Sequence, residues 1–240
     1  MTTIDASKLS FRELNENLRQ CSDSVVLARR CHGQRYIGCA RREGLIEIEG
    51  MPGNALGAYL DGASITVHGN AQDACGDTMN AGEITVHGRC GDAVGYSMRG
   101  GRIFVRDDVG CRAGAHMKAY LEKQPALIIG GRASCFLGEY QAGGTIIVLG
   151  LNQRGRCPVD SFCGVGMHGG SIYLRCELPP LGLPGQLSVD CASECDLEAI
   201  SSLLEGFRAR FCPDEDLLSL PFWKLAPNSS SPYRHMYTHI

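Results

Sequence analysis

Charge is scarce in this sequence, and long hydrophobic runs are absent. Of 240 residues only 20% are charged, and the formal net charge is -3, which gives no reason to expect nucleic acid as a partner. No segment holds the ~18 consecutive apolar residues that a bilayer span requires. The start, Met1-Thr2-Thr3-Ile4-Asp5, has neither a basic region nor an apolar run, so neither a signal peptide nor a membrane role is predicted. Catalytic signatures are missing as well. There is no serine nucleophile elbow, zincin helix, phosphate loop or GxGxxG opening a helix, and Cys21 follows twenty residues, too far in for an N-terminal nucleophile.

Cysteine is plentiful, but its usual spacings are not. Among the thirteen cysteines, Cys21, Cys31, Cys39, Cys75, Cys90, Cys111 and Cys135 are dispersed. Cys157/Cys163 and Cys191/Cys195 have five and three intervening residues, where a zinc knuckle or a ferredoxin-type site would have two. The odd total also argues against a complete disulfide set. Free thiols serving as small core residues in a reducing cytoplasm are expected.

What the sequence does have is a repeat. Residues 50–68, 69–87 and 88–106 read GMPGNALGAYLDGASITVH, GNAQDACGDTMNAGEITVH and GRCGDAVGYSMRGGRIFVR, three 19-residue units that align without a gap. Gly57, Gly76 and Gly95 share one column, Leu60, Met79 and Met98 a second, Ile65, Ile84 and Ile103 a third, and Val67, Val86 and Val105 a fourth. Gly114 and Met117 begin a fourth unit that departs at the insertion Tyr120 to Pro125. Looser units follow around Gly138 with Gly144, and around Gly164 with Gly170.

A fixed period of this length signals a solenoid, in which no unit buries its apolar face alone. Each unit ends in an alternating segment such as Glu83-Ile84-Thr85-Val86-His87, whose period of two makes a strand with isoleucine and valine on one face. The rest of each unit is glycine-rich and has no helical stripe. The predicted fold is therefore all-β, a single-stranded parallel β-helix of about 19-residue coils with short flanking helices. The glycines Gly57, Gly76, Gly95, Gly114, Gly138, Gly144, Gly164 and Gly170 are read as structural repeat positions at its bends. A left-handed helix of six-residue sub-repeats does not fit, because a unit with one terminal strand does not subdivide that way.

Three segments are expected. Residues 1–24 hold a capping helix, with Leu9, Phe11, Leu14 and Leu18 at near-helical spacing, covering the exposed first coil. Residues 25–178 form the β-helix. Residues 179–240 comprise an irregular connector at Pro179–Gly185, a helix capped by Ser193 and running to about Arg210 over the far end or side of the solenoid, and an extended tail. That tail, from Phe222 to Tyr237, is read as too rich in proline and serine for regular structure, lying on this chain or on a partner.

Few residues suggest chemistry. His68 and His87 are equivalent in adjacent units, as are Asp73 and Asp92, so each pair should stack. A stacked histidine pair suits a metal, but Arg106 replaces the third histidine, and a surface pair ending at a glycine bend is the favoured reading. No catalytic, cofactor-binding or metal-binding residue is assigned.

The segments Gly69-Asn70-Ala71-Gln72-Asp73, Gly91-Asp92-Ala93-Val94-Gly95-Tyr96, Arg112-Ala113-Gly114-Ala115-His116-Met117-Lys118, Phe136-Leu137-Gly138-Glu139-Tyr140 and Gly166-Met167-His168-Gly169-Gly170 resemble the Gly-rich (GXGXG) C-terminal domain of the glutamate synthase large subunit, closest to its stand-alone form. The resemblance covers roughly residues 25 to 176 and extends to the Pro-Tyr-Arg tail. A more distant similarity is to the formylmethanofuran dehydrogenase subunit that shares this solenoid. The resemblance implies a right-handed parallel β-helix without catalytic residues or cofactors of its own. It implies partners too, an amidotransferase subunit and a synthase subunit carrying FMN and an iron–sulfur cluster, which the β-helix holds together in nitrogen assimilation. N-methylglutamate synthase and formyltransferase/hydrolase assemblies are the alternatives. Association between copies of the chain is left open. Gln141 in the Met/Leu column and Arg106-Asp107-Asp108 in place of the terminal glycine depart from the pattern and predict local irregularity in the later coils.

The repeat predicts the outcome of two deletions. Removing residues 88 to 106 joins His87 to Asp107 in register and should leave a folded protein by circular dichroism. Removing only residues 88 to 97 puts every downstream ladder on the wrong face and should abolish the cooperative transition. Equal behaviour of the two deletions would contradict the 19-residue register.

Overall fold

The computed structural model describes residues 1–229. Eleven strands, β1 (Thr2–Asp5), β2 (Val25–His32), β3 (Leu45–Met51), β4 (Asp61–Val67), β5 (Ala81–Val86), β6 (Arg102–Val105), β7 (Ala126–Ile129), β8 (Ala142–Val148), β9 (Gly169–Arg175), β10 (Leu187–Cys191) and β11 (Phe222–Pro227), form one sheet in the order β1 to β9, β11, β10. Two helices, α1 (Phe11–Gln20) and α2 (Glu194–Phe211), flank it. The protein is thus mostly sheet, as the sequence predicts.

Each strand from β1 to β8 pairs parallel with the next in chain order, and the repeat columns are the pairing register. Ile46, Ile65, Ile84, Ile103, Leu127, Ile146 and Ile172 face one another in succession, as do Ile48, Val67, Val86, Val105, Ile129, Val148 and Leu174. All of these side chains are buried. Between β6 and β7, and again between β8 and β9, the chain takes more than 19 residues to return, and the extra ones fall in the connections before Ala126 and before Gly169, leaving the isoleucine and valine columns in line.

The segments between strands carry a ladder of their own. Around Gly76, the residues Ala74, Gly76 and Thr78 all have φ between +52° and +71°. The outer two donate forward, Ala74 N–H to Asp92 O (2.8 Å) and Thr78 N–H to Tyr96 O (2.8 Å), while Gly76 N–H donates back to Leu56 O (2.8 Å). The same alternation recurs at Ala93/Gly95/Ser97, Arg112/Gly114/His116 and Phe136/Gly138/Tyr140. A left-handed conformation costs a non-glycine residue about 1–2 kcal/mol, and here three inter-unit hydrogen bonds hold each bend in place.

The central glycine of each bend faces the interior. A Cβ on Gly76 would lie 2.3 Å from Ile103 Cδ1, and on Gly57, Gly114 and Gly138 it would meet the δ-methyls of Ile84, Ile146 and Ile172 at 2.4–2.7 Å. Gly95 differs. The strand residue facing it is Leu127, whose nearest carbon would be 3.8 Å away, so crowding by the adjacent units does not apply there and only the positive φ of 66° restricts the position. Gly164 faces Leu187 of β10 at 2.6 Å. Gly144 and Gly170 lie at the starts of β8 and β9, both with φ of +78°, where a Cβ would strike Pro125 O and Gly144 O respectively.

The sheet is mixed, and here the structure corrects the sequence reading. After β9 the proline-rich connector ends the parallel run, and β11 pairs antiparallel with both β9 and β10. Phe222–Pro227 is regular strand because Phe222 and Leu225 are buried and Trp223 Nε1 donates to Cys176 O (3.1 Å). The rest of the tail reading, Tyr233 to Tyr237, lies outside the described residues. Two further strands, β1 and β10, fall outside the repeat and went unpredicted.

Both helices begin with a capping box, at Ser10/Glu13 and Ser193/Asp196, which satisfies backbone donors otherwise left free. Leu14 and Leu18 of α1 enter the main core, and Arg41 donates to Leu18 O (2.7 Å). α2 lies on the side of the sheet. The outward column reads Glu47, Thr66 and Thr85 in β3–β5 and then Phe104, Ile128, Ile147 and Tyr173 in β6–β9. Ile200, Leu203, Leu204 and Phe207 of α2 pack on that apolar half, each large side chain contributing about 1.5–3 kcal/mol on burial. Arg210 reinforces the seat, reaching Glu83 (2.5 Å) and lying 4.3 Å over the Phe104 ring.

The expected irregularities are absorbed. Asp107 N–H still donates to Gly88 O (3.1 Å). Gln141 is fully buried in the methionine column, and its Nε2 donates to Gly143 O and Gly144 O where the β8–β9 register shifts. The bend geometry makes a sharp prediction about alanine substitutions. Gly76→Ala adds a clash to the cost of positive φ and should lose more than about 3 kcal/mol, whereas Gly95→Ala should lose about 1–2 kcal/mol. Urea unfolding of both variants measures the difference, and equal losses would contradict the assigned packing.

Candidate functional site

The bends present a surface as well as a ladder. Because alternate residues there are left-handed, side chains flanking the central glycine line up from one unit to the next. Phe136 stacks on Phe162 (4.8 Å, 13° between planes), and the Arg112 guanidinium lies 5.0 Å over Phe136 while pairing with Glu139 (3.0 Å). One column over, Tyr96 meets His116 edge-on (5.4 Å) and His116 stacks on Tyr140 (5.2 Å). Phe162 is 54% exposed and Tyr59, in the same column as His116 and Tyr140, 53%. Exposed aromatic side chains and an arginine in one strip are the residue types that dominate protein interfaces.

The histidines predicted to stack do so. The His68 and His87 rings are 5.6 Å apart at 23°. His68 Nε2 lies 3.0 Å from Glu47 Oε2, and His87 meets the edge of Phe211 at the end of α2 (5.0 Å). Burial, then the neighbouring His68 and Arg106, lower the His87 pKa from its ordinary value. Among the described residues no group of three or more His, Cys, Asp and Glu is placed to hold a metal, and the pair is bound to the seat of α2.

Asp73 and Asp92 also repeat in space, as backbone acceptors. Asp73 Oδ1 accepts the Asp92 N–H (3.0 Å), Asp92 Oδ1 the Cys111 N–H (2.8 Å), and Asp108 Oδ1 the Arg132 N–H (2.9 Å). Asn70 does the same for Arg89 N–H (2.9 Å). These carboxylates tie one unit to the next.

Thiols differ in burial, with Cys21, Cys111, Cys135 and Cys212 half-buried. Cys31, Cys75, Cys90, Cys163 and Cys176 are buried, as core use predicts, but Cys39, Cys157, Cys191 and Cys195 are exposed. Cys157 opens on a groove of about 560 Å³ lined also by Asp160, Phe162, Leu181 and Pro184. A second groove, of about 400 Å³, runs between α2 and residues 215–218, past Leu197, Arg208 and Leu218. Sequence reasoning missed both, because they are formed by connectors that the repeat does not index.

No helix among the described residues is long and apolar enough to cross a membrane. A family model described as GXGXG motif matches residues 24–179. A protein of Methanocaldococcus jannaschii named Uncharacterized protein MJ1350 is 47% identical over 249 residues, covering 98% of this chain and 95% of that protein.

The position of His87 sets a pH dependence. Its folded-state pKa lies below that of the unfolded chain, about 6.5, so its contribution to stability is present above pH ~6.5 and is lost as the pH falls through the folded pKa. The urea midpoint of the wild type should fall between pH 7.5 and 5.5, and His87→Gln should fall less over the same window. Parallel pH profiles for the two proteins would contradict the assigned environment.

Proposed function

The chain belongs to the GXGXG motif family, and on that footing we propose that it is a non-catalytic scaffold subunit of a glutamate synthase-like complex. In this reading the nine parallel strands and their bends make a right-handed parallel β-helix that holds an amidotransferase subunit and an FMN/iron–sulfur synthase subunit at fixed separation in the cytoplasm. Flavin and cluster chemistry belongs to those partners. This chain supplies distance and orientation.

The observation that carries the proposal is the continuous parallel pairing from Thr2 to Arg175. Eight steps at ~4.8 Å give a rod of roughly 40 Å, and from β2 to β8 each step is fixed twice, once by strand pairing and once by the bend ladder. Such a body transmits position with little compliance. The aromatic strip along the bends offers a surface of the right chemistry for a protein partner. Transfer of a small product between two active sites needs both ends held, and misplacement by as little as 1 Å can cost about 100-fold in rate.

Removing residues 88 to 106 shortens the rod by one step of ~4.8 Å and should leave the partners' separate half-reactions intact. Glutamine-dependent turnover of the reconstituted complex should fall at least about 100-fold. Full coupled turnover with a folded deletion variant would exclude a spacer role.

A further inference from the structure

The insertion that breaks the fourth unit builds a knob. Tyr120 N–H donates to Lys123 O (3.1 Å) and Lys123 N–H to Tyr120 O (3.0 Å), closing a tight turn with Leu121 at positive φ. Leu121 is 80% exposed and Tyr120 53%. The columns on either side of the insertion stay in line, so the turn adds nothing to the stack and projects two apolar side chains into solvent. Cations surround it. A Cβ on Gly100 would lie 3.2 Å from Lys123 Cβ, which sets the turn against residues 99–102, and Lys118 follows Arg99 one unit later, its N–H donating to Met98 O (2.9 Å). Arg99, Arg102, Lys118 and Lys123 are all exposed. Lys123 pairs with Asp61 at 3.9 Å, and the other three form no ion pair among the described residues.

The groove beside α2 has the opposite character. Leu197, Leu204, Leu217 and Leu218 make it apolar, and Glu198, Glu205, Glu215 and Asp216 stand along it against one cation, Arg208. None of these four carboxylates is ion-paired among the described residues. Its wall is fixed. The buried Arg175 donates from Nε to Leu217 O (2.8 Å) and from Nη2 to Ser219 Oγ (2.8 Å), and Asp216 Oδ1 accepts the Leu218 N–H (2.9 Å). A groove and a turn that are both held in shape lose little conformational freedom on meeting.

Within one copy the knob and the groove lie apart. Strands β7, β8 and β9 run parallel, and the knob precedes the first residue of β7, whereas Arg175, which fastens the groove wall, ends β9. The two features thus sit at opposite ends of the strands.

We propose that the chain pairs with a second copy of itself, the Tyr120–Lys123 knob of each copy seated in the α2 groove of the other. Leu121 and Tyr120 enter the leucine-lined floor, and the cations around the knob face the carboxylates along the groove, so that the two surfaces match in both polarity and charge. A two-fold axis makes both contacts at once and closes the assembly. Only this chain's own surfaces are used, so the pairing stands apart from the scaffold reading.

The test uses the full-length protein and sedimentation equilibrium at ~50 mM salt, where exposed charges are little screened. The wild type should be a dimer whose dissociation constant rises with salt. Leu121→Asp removes the apolar anchor from an exposed turn and should raise that constant at least about 30-fold, the scale of an interface hot spot. Charge exchange identifies the two surfaces. A knob variant, Arg99→Glu with Lys118→Glu, and a groove variant, Glu198→Lys with Glu205→Lys, should each be monomeric, because like charges then face one another. Mixed in equal amounts they should form a heterodimer, since the reversed knob meets the reversed groove and the native knob meets the native groove. All five positions are exposed, and circular dichroism of each variant should match the wild type. A monomeric wild type, a dimer that Leu121→Asp leaves unchanged, or charge variants that stay apart when mixed would overturn the proposal.

Discussion

The fit of one glycine against one isoleucine in the following unit is the constraint on which the rest of this structure depends. Gly57, Gly76, Gly114 and Gly138 have positive φ, and each leaves too little room for a Cβ beside the δ-methyl facing it. Both properties are needed at once. Positive φ turns the chain so that the flanking N–H groups point to the next unit, and the missing side chain lets the isoleucine column pass at close range. Packing and hydrogen bonding therefore enforce the same spacing, which is why the isoleucine and valine columns survive insertions in the connections.

The ends show what happens where that fit runs out. Beside β1 and β2, Leu14 and Leu18 of α1 fill the core. At the finish, Leu187 of β10 takes the place of the next isoleucine against Gly164, and β11 covers the edge of β9. Exposed edges of a parallel stack invite pairing with other chains. Here β1 and β10 remain as the outer strands, both short, four and five residues long.

The repeat made the strands, their register and the glycine column legible in the sequence, because a period fixes every position relative to its neighbours. What lay outside the period was not legible. β1, β10 and β11 each occur once, and β11 was obscured by its proline and by the composition around it. Gly95 was read like its column mates, whereas Leu127 leaves space that an isoleucine δ-methyl would fill. The seat of α2 was written in the outward column, in the change from Thr85 to Phe104, but an apolar outward face names no occupant. Asp73 and Asp92 looked like chemistry and are backbone acceptors.

A rigid ladder with an aromatic strip has its meaning in what it is bound to, so the most direct measurement is purification of this chain by affinity from its native cell, followed by identification and absorbance of what comes with it. The scaffold account predicts two different partners in fixed ratio, one a glutamine amidotransferase and the other a protein with flavin and iron–sulfur absorbance. Recovery of the chain alone, or with a formyltransferase in place of those two, would contradict it.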